Sequence, residues 1–187
     1  MKLKINKEKI NNLGPEDALP VFYWFRNMIL GKTKPDRFTR LIYYVNLVAW
    51  FLLMIWNFLS FVAISMSDVI KAEKGFSVNA IIRRHGRELG FTHDNGQTFL
   101  DAVTEYHFYN IFIWMFIFVG LVLLYRKNKV YTLIYLGGLA IHFVFMFWKI
   151  GIQYFIESVS FFDKILYALM IVSVITHSTV LAKNKNN

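Results

Sequence analysis

Two histidines embedded in apolar sequence, His107 and His142, are the side chains in this chain best placed to do chemistry. An imidazole can ligate haem iron, relay a proton or hydrogen-bond a ligand's polar end. Their helical surroundings hold Asn57, Ser60, Asn110, Trp114 and Tyr135. With helix ends near residues 66, 104 and 150, the helical rise puts Asn57 about 13 Å, His107 about 5 Å, Asn110 about 9 Å and His142 about 12 Å below one surface. These four form one layer. His177 lies about 21 Å from an end near Asp163 and falls outside it. The plain expectation for such a layer is interhelical hydrogen bonding, at about 0.6 kcal/mol per bond on average. The chemical expectation is a lipophilic cofactor or ligand: haem on His107 and His142, or a quinone or lipid in a pocket lined by His142, Tyr135 and Trp114.

The elements that must position these residues are four apolar segments, at 41–66, 105–125, 130–150 and 161–182. Each approaches or exceeds the roughly 20 residues needed to cross a bilayer. Each also carries its polar groups at steps of three and four, on one helix face. Asn46, Trp50, Asn57 and Ser60 share a face in the first segment, and His107, Asn110 and Trp114 in the second. Tyr131, Tyr135, Gly138 and His142 do so in the third, and Leu166, Met170, Ser173 and His177 in the fourth. Polar groups facing lipid would go unsatisfied, so these faces are expected to meet in the interior. The fold class is therefore an all-α integral membrane protein, a four-transmembrane-helix bundle. Gly137, Gly138 and Ala140 are expected to admit a close neighbour.

Of the 187 residues, 56% are hydrophobic, the net charge is +9, and cysteine is absent. That removes disulfides, thiolate metal sites and cysteine redox chemistry. Basic residues alternate with the spans. Nine Lys/Arg oppose four acids in residues 1–40, five oppose six in 67–105, and three fall in 126–129. The positive-inside rule then puts both termini and the 126–129 turn in the cytoplasm, in a bacterial inner membrane or an organelle's inner membrane. Nucleic acid is excluded as a partner, because the charges flank spans and form no single stripe.

Residues 1–13 read as a disordered tail. The Gly14-Pro15-Glu16-Asp17 start signal and Gly31 bracket an amphipathic helix over 14–31, too short to span and suited to the cytoplasmic interface. The first 20 residues lack a signal peptide's apolar core, so the first span is expected to direct insertion. Arg26, Lys32, Lys34, Arg37 and Arg40 form a collar for anionic lipid or a partner. Outside the membrane on the other side, residues 67–102 form a small loop cap, with a helix capped by Ser77 that carries Ile81, Ile82 and Leu89 on one side.

Several activities lack their residues. No Asp or Glu falls at hydrocarbon depth, and no G-x-S-x-G, H-E-x-x-H or P-loop occurs. His85 and His93-Asp94 are too far apart in sequence to read as a zinc ligand pair. Lys149 is expected to snorkel to headgroups. The functional expectation is a non-catalytic accessory or structural subunit of a larger membrane complex, with membrane lipid and other membrane-protein subunits as partners. The alternative is a haem- or quinone-binding membrane protein using His107 and His142. A small oligomeric transporter or channel comes third.

Overall fold

The computed structural model describes Asn27, Gly31 and residues 35–186. Most of the 14–31 segment, with Arg26, Lys32 and Lys34, lies outside the described residues. Asn27 is helical, and Gly31 has φ +86° with its N–H bonded to the Asn27 carbonyl at 3.0 Å. That is a left-handed helix end.

Four long helices dominate: α1 (Arg37–Ser65), α4 (Gln97–Tyr125), α5 (Tyr131–Lys149) and α7 (Phe161–Asn186). All four are long and apolar enough to cross a membrane. Three short helices sit between them: α2 (Ser67–Lys74), α3 (Val78–Glu88) and α6 (Ile152–Glu157). Around the bundle the order is α1, α4, α5, α7, with α7 closing back on α1. Each long helix therefore neighbours two others, and successive long helices run antiparallel. The tight turn between α4 and α5 lies at the same end as the start of α1 and the finish of α7. We call this the turn end, and the opposite end, which carries the short helices, the loop end.

Local sequence explains the boundaries. Asp36 caps α1, taking the Thr39 backbone N–H at 2.8 Å, and Ser77 caps α3 through the Ala80 N–H. The helix carrying the second span begins at Gln97, eight residues before the apolar run. The Asp94 carboxylate takes the Thr98 N–H at 2.6 Å and so starts the helix ahead of the apolar stretch.

The closest helix pair is α4 and α5. A Cβ built on Gly120 would lie 2.8 Å from the Tyr135 Cα, and one on Gly138 would lie 2.7 Å from Ile117 Cγ1. Gly137, expected to share this role, has open space around it, and Gly120 takes its place. At the loop end a second apolar cluster joins Ile64, Phe99, Leu100, Val103, Tyr106 and Met146, with Val78, Ile82 and Leu89 of the cap packed on it. Ile81, expected to share a side with Ile82 and Leu89, is 47% exposed and lines a cavity beside Ile82.

Only 22% to 39% of the most apolar stretch of each long helix is covered by the rest of the chain. Leu133, Val144 and Trp148 are 72%, 68% and 75% exposed. A surface so apolar needs a cover that is not water, which suggests a multi-pass membrane protein.

Gly120→Ala should destabilise the fold by about 1–3 kcal/mol, because the methyl must displace backbone. Gly137→Ala should leave the melting temperature in detergent unchanged or slightly raised. Equal effects of the two changes would contradict the α4–α5 packing.

Candidate functional site

The interior polar groups form three tiers. At the turn end, Tyr131 Oη lies 2.7 Å from His177 Nδ1, and His177 Nε2 lies 2.9 Å from Thr39 Oγ1. The Thr39 hydroxyl donates to Asp36, which is ion-paired with Lys127 of the α4–α5 turn at 2.6 Å. Lys127, helped by the Thr39 N–H, holds the Asp36 carboxyl well below the usual carboxylate range. In the middle, Tyr135 donates to Asn46 Oδ1 at 2.8 Å, and Asn46 Nδ2 donates to Ser173 Oγ at 2.7 Å.

The loop-end tier engages all four long helices. Asn57 Nδ2 donates to the His107 carbonyl at 3.0 Å. Its Oδ1 lies 2.8 Å from His107 Nδ1 and 3.0 Å from Asn110 Nδ2. Asn110 Oδ1 lies 2.7 Å from His142 Nδ1, and His142 Nε2 lies 3.0 Å from the Tyr167 hydroxyl.

These contacts fix the hydrogens. A carbonyl only accepts, so the Asn57 atom facing the His107 carbonyl is the amide nitrogen. The other atom is then Oδ1, which also only accepts, so His107 Nδ1 carries a hydrogen. Asn110 has used its nitrogen on Asn57, so its Oδ1 accepts from a protonated His142 Nδ1. A neutral His142 then has a bare Nε2, which accepts from Tyr167. In His107 the same logic leaves Nε2 bare, and it has no partner among the described residues.

Two cavities meet His107. One of about 60 Å³ lies inside the tier, against Asn57, Asn110, Trp114 and Tyr167. It is polar enough and large enough for a few waters. The other, of about 550 Å³, opens between α1, α3, α4 and α6. Ile64, Val78, Ile82, Phe99 and Val103 give it an apolar wall, and Ser60, His85, His107 and Ser158 give it polar points. Trp56 and Ser158 line both cavities and a third cleft between α1 and α7. The larger volume falls in the range of about 300–1,000 Å³ usual for small-molecule sites.

The structure thus joins Asn57, His107, Asn110 and His142 through hydrogen bonds, with the Trp114 ring tilted against His142 at 5.1 Å between ring centroids. It separates Tyr135, which belongs to the middle tier, and Ser60, which lies on the wall of the larger cavity. The Arg37 and Arg40 collar is at the turn end. A haem bridging the two histidines does not fit. Both ring nitrogens of His142 are spent on protein groups, and the small cavity beside His107, which His142 does not line, has room only for waters. A pocket joining His142, Tyr135 and Trp114 is likewise not formed.

Tyr167 is the tier member the sequence stripe omitted. It lies three residues before Met170 and so shares the helix face on which Leu166 was placed. Lys149 pairs with Glu105 across α4 and α5 instead of standing free. His85 bonds Ser158 at 2.7 Å and Asp94 bonds Thr98, so His85 and Asp94 are engaged separately. No group of three potential metal ligands comes together among the described residues.

No protein-family model matches this chain, and no curated protein or solved structure matches it either.

Asn57→Leu, close in volume, should cost at least about 2 kcal/mol, because it strands the donors of His107 and Asn110 at roughly 1–3 kcal/mol each. Tyr167→Phe, which strands one acceptor, should cost less. Unfolding in mild detergent measures both, and a neutral Asn57→Leu would contradict the tier. Asp36, with its lowered pKa, stabilises the fold above the usual carboxylate range. That contribution is lost as pH falls through its folded value. Melting temperatures of the wild type and Asp36→Asn should therefore differ at neutral pH and converge in strong acid.

Proposed function

We propose that this is a multi-pass membrane protein that holds a lipophilic small molecule in its loop-end cavity. The observation that carries this reading is the 550 Å³ cavity, whose apolar wall ends at His107 and its hydrogen-bonded network. Ligand sites pair a mostly apolar lining with a few fixed polar groups in this way. The tier behind His107 is braced on four helices, so the imidazole presented to the cavity is held still.

The basic groups at the turn end, Arg37, Arg40, Arg126, Lys127 and Lys129, support a topology with that end in the cytoplasm. The cavity then lies in the far leaflet of a bacterial inner membrane or an organelle's inner membrane. A transport pathway has less support. Buried Leu53, Ile117, Leu121, Leu139 and Val174 separate the polar tiers.

An accessory subunit of a larger membrane complex is the second reading. The interior polar faces do not call for a partner, since they satisfy one another within the chain. What favours it is an exposed aromatic ladder on α4, Phe108, Phe112 and Phe116 at one-turn spacing, since aromatic side chains anchor partner surfaces.

Purification in mild detergent, followed by solvent extraction and mass spectrometry, tests the first reading. About one lipophilic molecule per chain should be retained by the wild type. It should be lost from Ala63→Phe, which fills the cavity from α1. Retention equal in the two proteins, or none in either, would refute it. A protein that co-purifies with the wild type and is lost on Phe112→Ala would favour the second reading.

A further inference from the structure

We propose that the occupant of the loop-end cavity is a lipid alcohol, a membrane-soluble molecule whose polar end is a hydroxyl that donates a hydrogen bond to His107 Nε2. This rests on the reading of the cavity as a ligand site and narrows the class of ligand.

The argument starts from one backbone group. The His107 carbonyl accepts from Asn57 Nδ2 at 3.0 Å, which turns Asn57 Oδ1 toward His107 Nδ1 at 2.8 Å. Asn110 Nδ2 binds the same oxygen at 3.0 Å and holds that orientation from a second side. Nδ1 must therefore donate, and a neutral ring then offers Nε2 only as an acceptor. Charging the ring would place a cation with no acid beside it in an apolar setting, which is costly. His107 lines the 550 Å³ cavity, and among the described residues nothing donates to its Nε2. A ketone, ester or ether oxygen cannot satisfy this nitrogen, because it too only accepts. A hydroxyl can.

A second polar group on the wall, Ser60, complements the same head. Ser60 lies one turn beyond Asn57 on α1 and makes no hydrogen bond to the described residues. Its hydroxyl can donate to the oxygen of an alcohol that is itself donating elsewhere. Of the other polar wall groups, His85 Nε2 is held by Ser158 and the Glu157 carboxylate takes Gln153, while the Tyr154 hydroxyl and the Trp56 indole N–H belong to residues of the same wall. No Lys or Arg lines the cavity. Phosphate heads therefore find no charge partner there, whereas an uncharged head on an apolar body meets a matched wall. Two kinds of membrane molecule share this chemistry, a diacylglycerol and the reduced, hydroxyl-bearing form of a quinone.

Native mass spectrometry of the full chain in mild detergent, with matched probes at equal concentration, tests the inference. One pair is dioleoylglycerol and its 3-O-methyl ether. The other is a decyl-substituted benzohydroquinone, kept anaerobic, and its quinone. In at least one pair the hydroxyl form should bind about tenfold more tightly than its non-donating counterpart. The pair showing that preference identifies the source. The preference should vanish in His107→Phe, whose folding is checked by an unchanged elution profile, and all binding should vanish in Ala63→Phe. Equal binding within both pairs, sensitive to Ala63→Phe, would overturn the hydroxyl assignment and leave the cavity as a ligand site. A preference that survives His107→Phe would overturn it too. Absence of binding by all four probes would overturn the hydroxyl assignment, while a retained molecule of another class in the wild type would keep the ligand reading intact.

Discussion

The hydrogen bond from Asn57 to the backbone carbonyl of His107 is the contact on which the interior depends. A carbonyl admits only one orientation of the amide, and that orientation passes through Asn110 and His142 to Tyr167 without a conflicting donor or acceptor. One backbone oxygen thus sets the hydrogen positions of a network reaching all four long helices. A half-satisfied buried network is worse than an apolar core, so the four helices must keep their register for any of these groups to be tolerated. The tier aligns the bundle, and Gly120 and Gly138 let α4 and α5 come close enough for Asn110 to meet His142.

The two ends of the bundle differ in how they use polarity. At the turn end, Tyr131, His177, Thr39 and Asp36 run outward to an ion pair with Lys127 at the surface, and every ring nitrogen of His177 is engaged. That chain ties the α4–α5 turn to the start of α1. At the loop end the network stops one bond short, at His107 Nε2, which has no partner among the described residues, and His107 lines the 550 Å³ cavity. Such a gap in an otherwise complete network points to a ligand or to water, and the cavity's apolar wall favours a ligand with a small polar head.

The sequence carried the large-scale architecture because bilayer thickness and helical period act on composition alone. Four apolar runs became four long helices, and the rise per residue put Asn57, His107, Asn110 and His142 near one depth, where the structure links them. Depth and face do not determine partners, however. Tyr135 has the right stripe but lies about two turns nearer the turn end than His142, and its hydroxyl meets Asn46. Tyr167 was hidden by ambiguity between positions three and four before Met170. Helix α4 outran its apolar segment because its start is set by the turn at Gly96, with the Asp94 carboxylate on the Thr98 N–H. The cavity was not legible at all. It arises where α3 and α6 fold back over the ends of α1 and α4, a tertiary arrangement that hydropathy does not encode.

The direct measurement is the nitrogen-15 NMR spectrum of the imidazole of His107 in protein labelled at histidine, assigned by its loss in His107→Phe. The account predicts a single neutral tautomer at pH 7, with the hydrogen on Nδ1 and a bare, pyridine-like Nε2. A hydrogen on Nε2, or rapid exchange between the two tautomers, would contradict it.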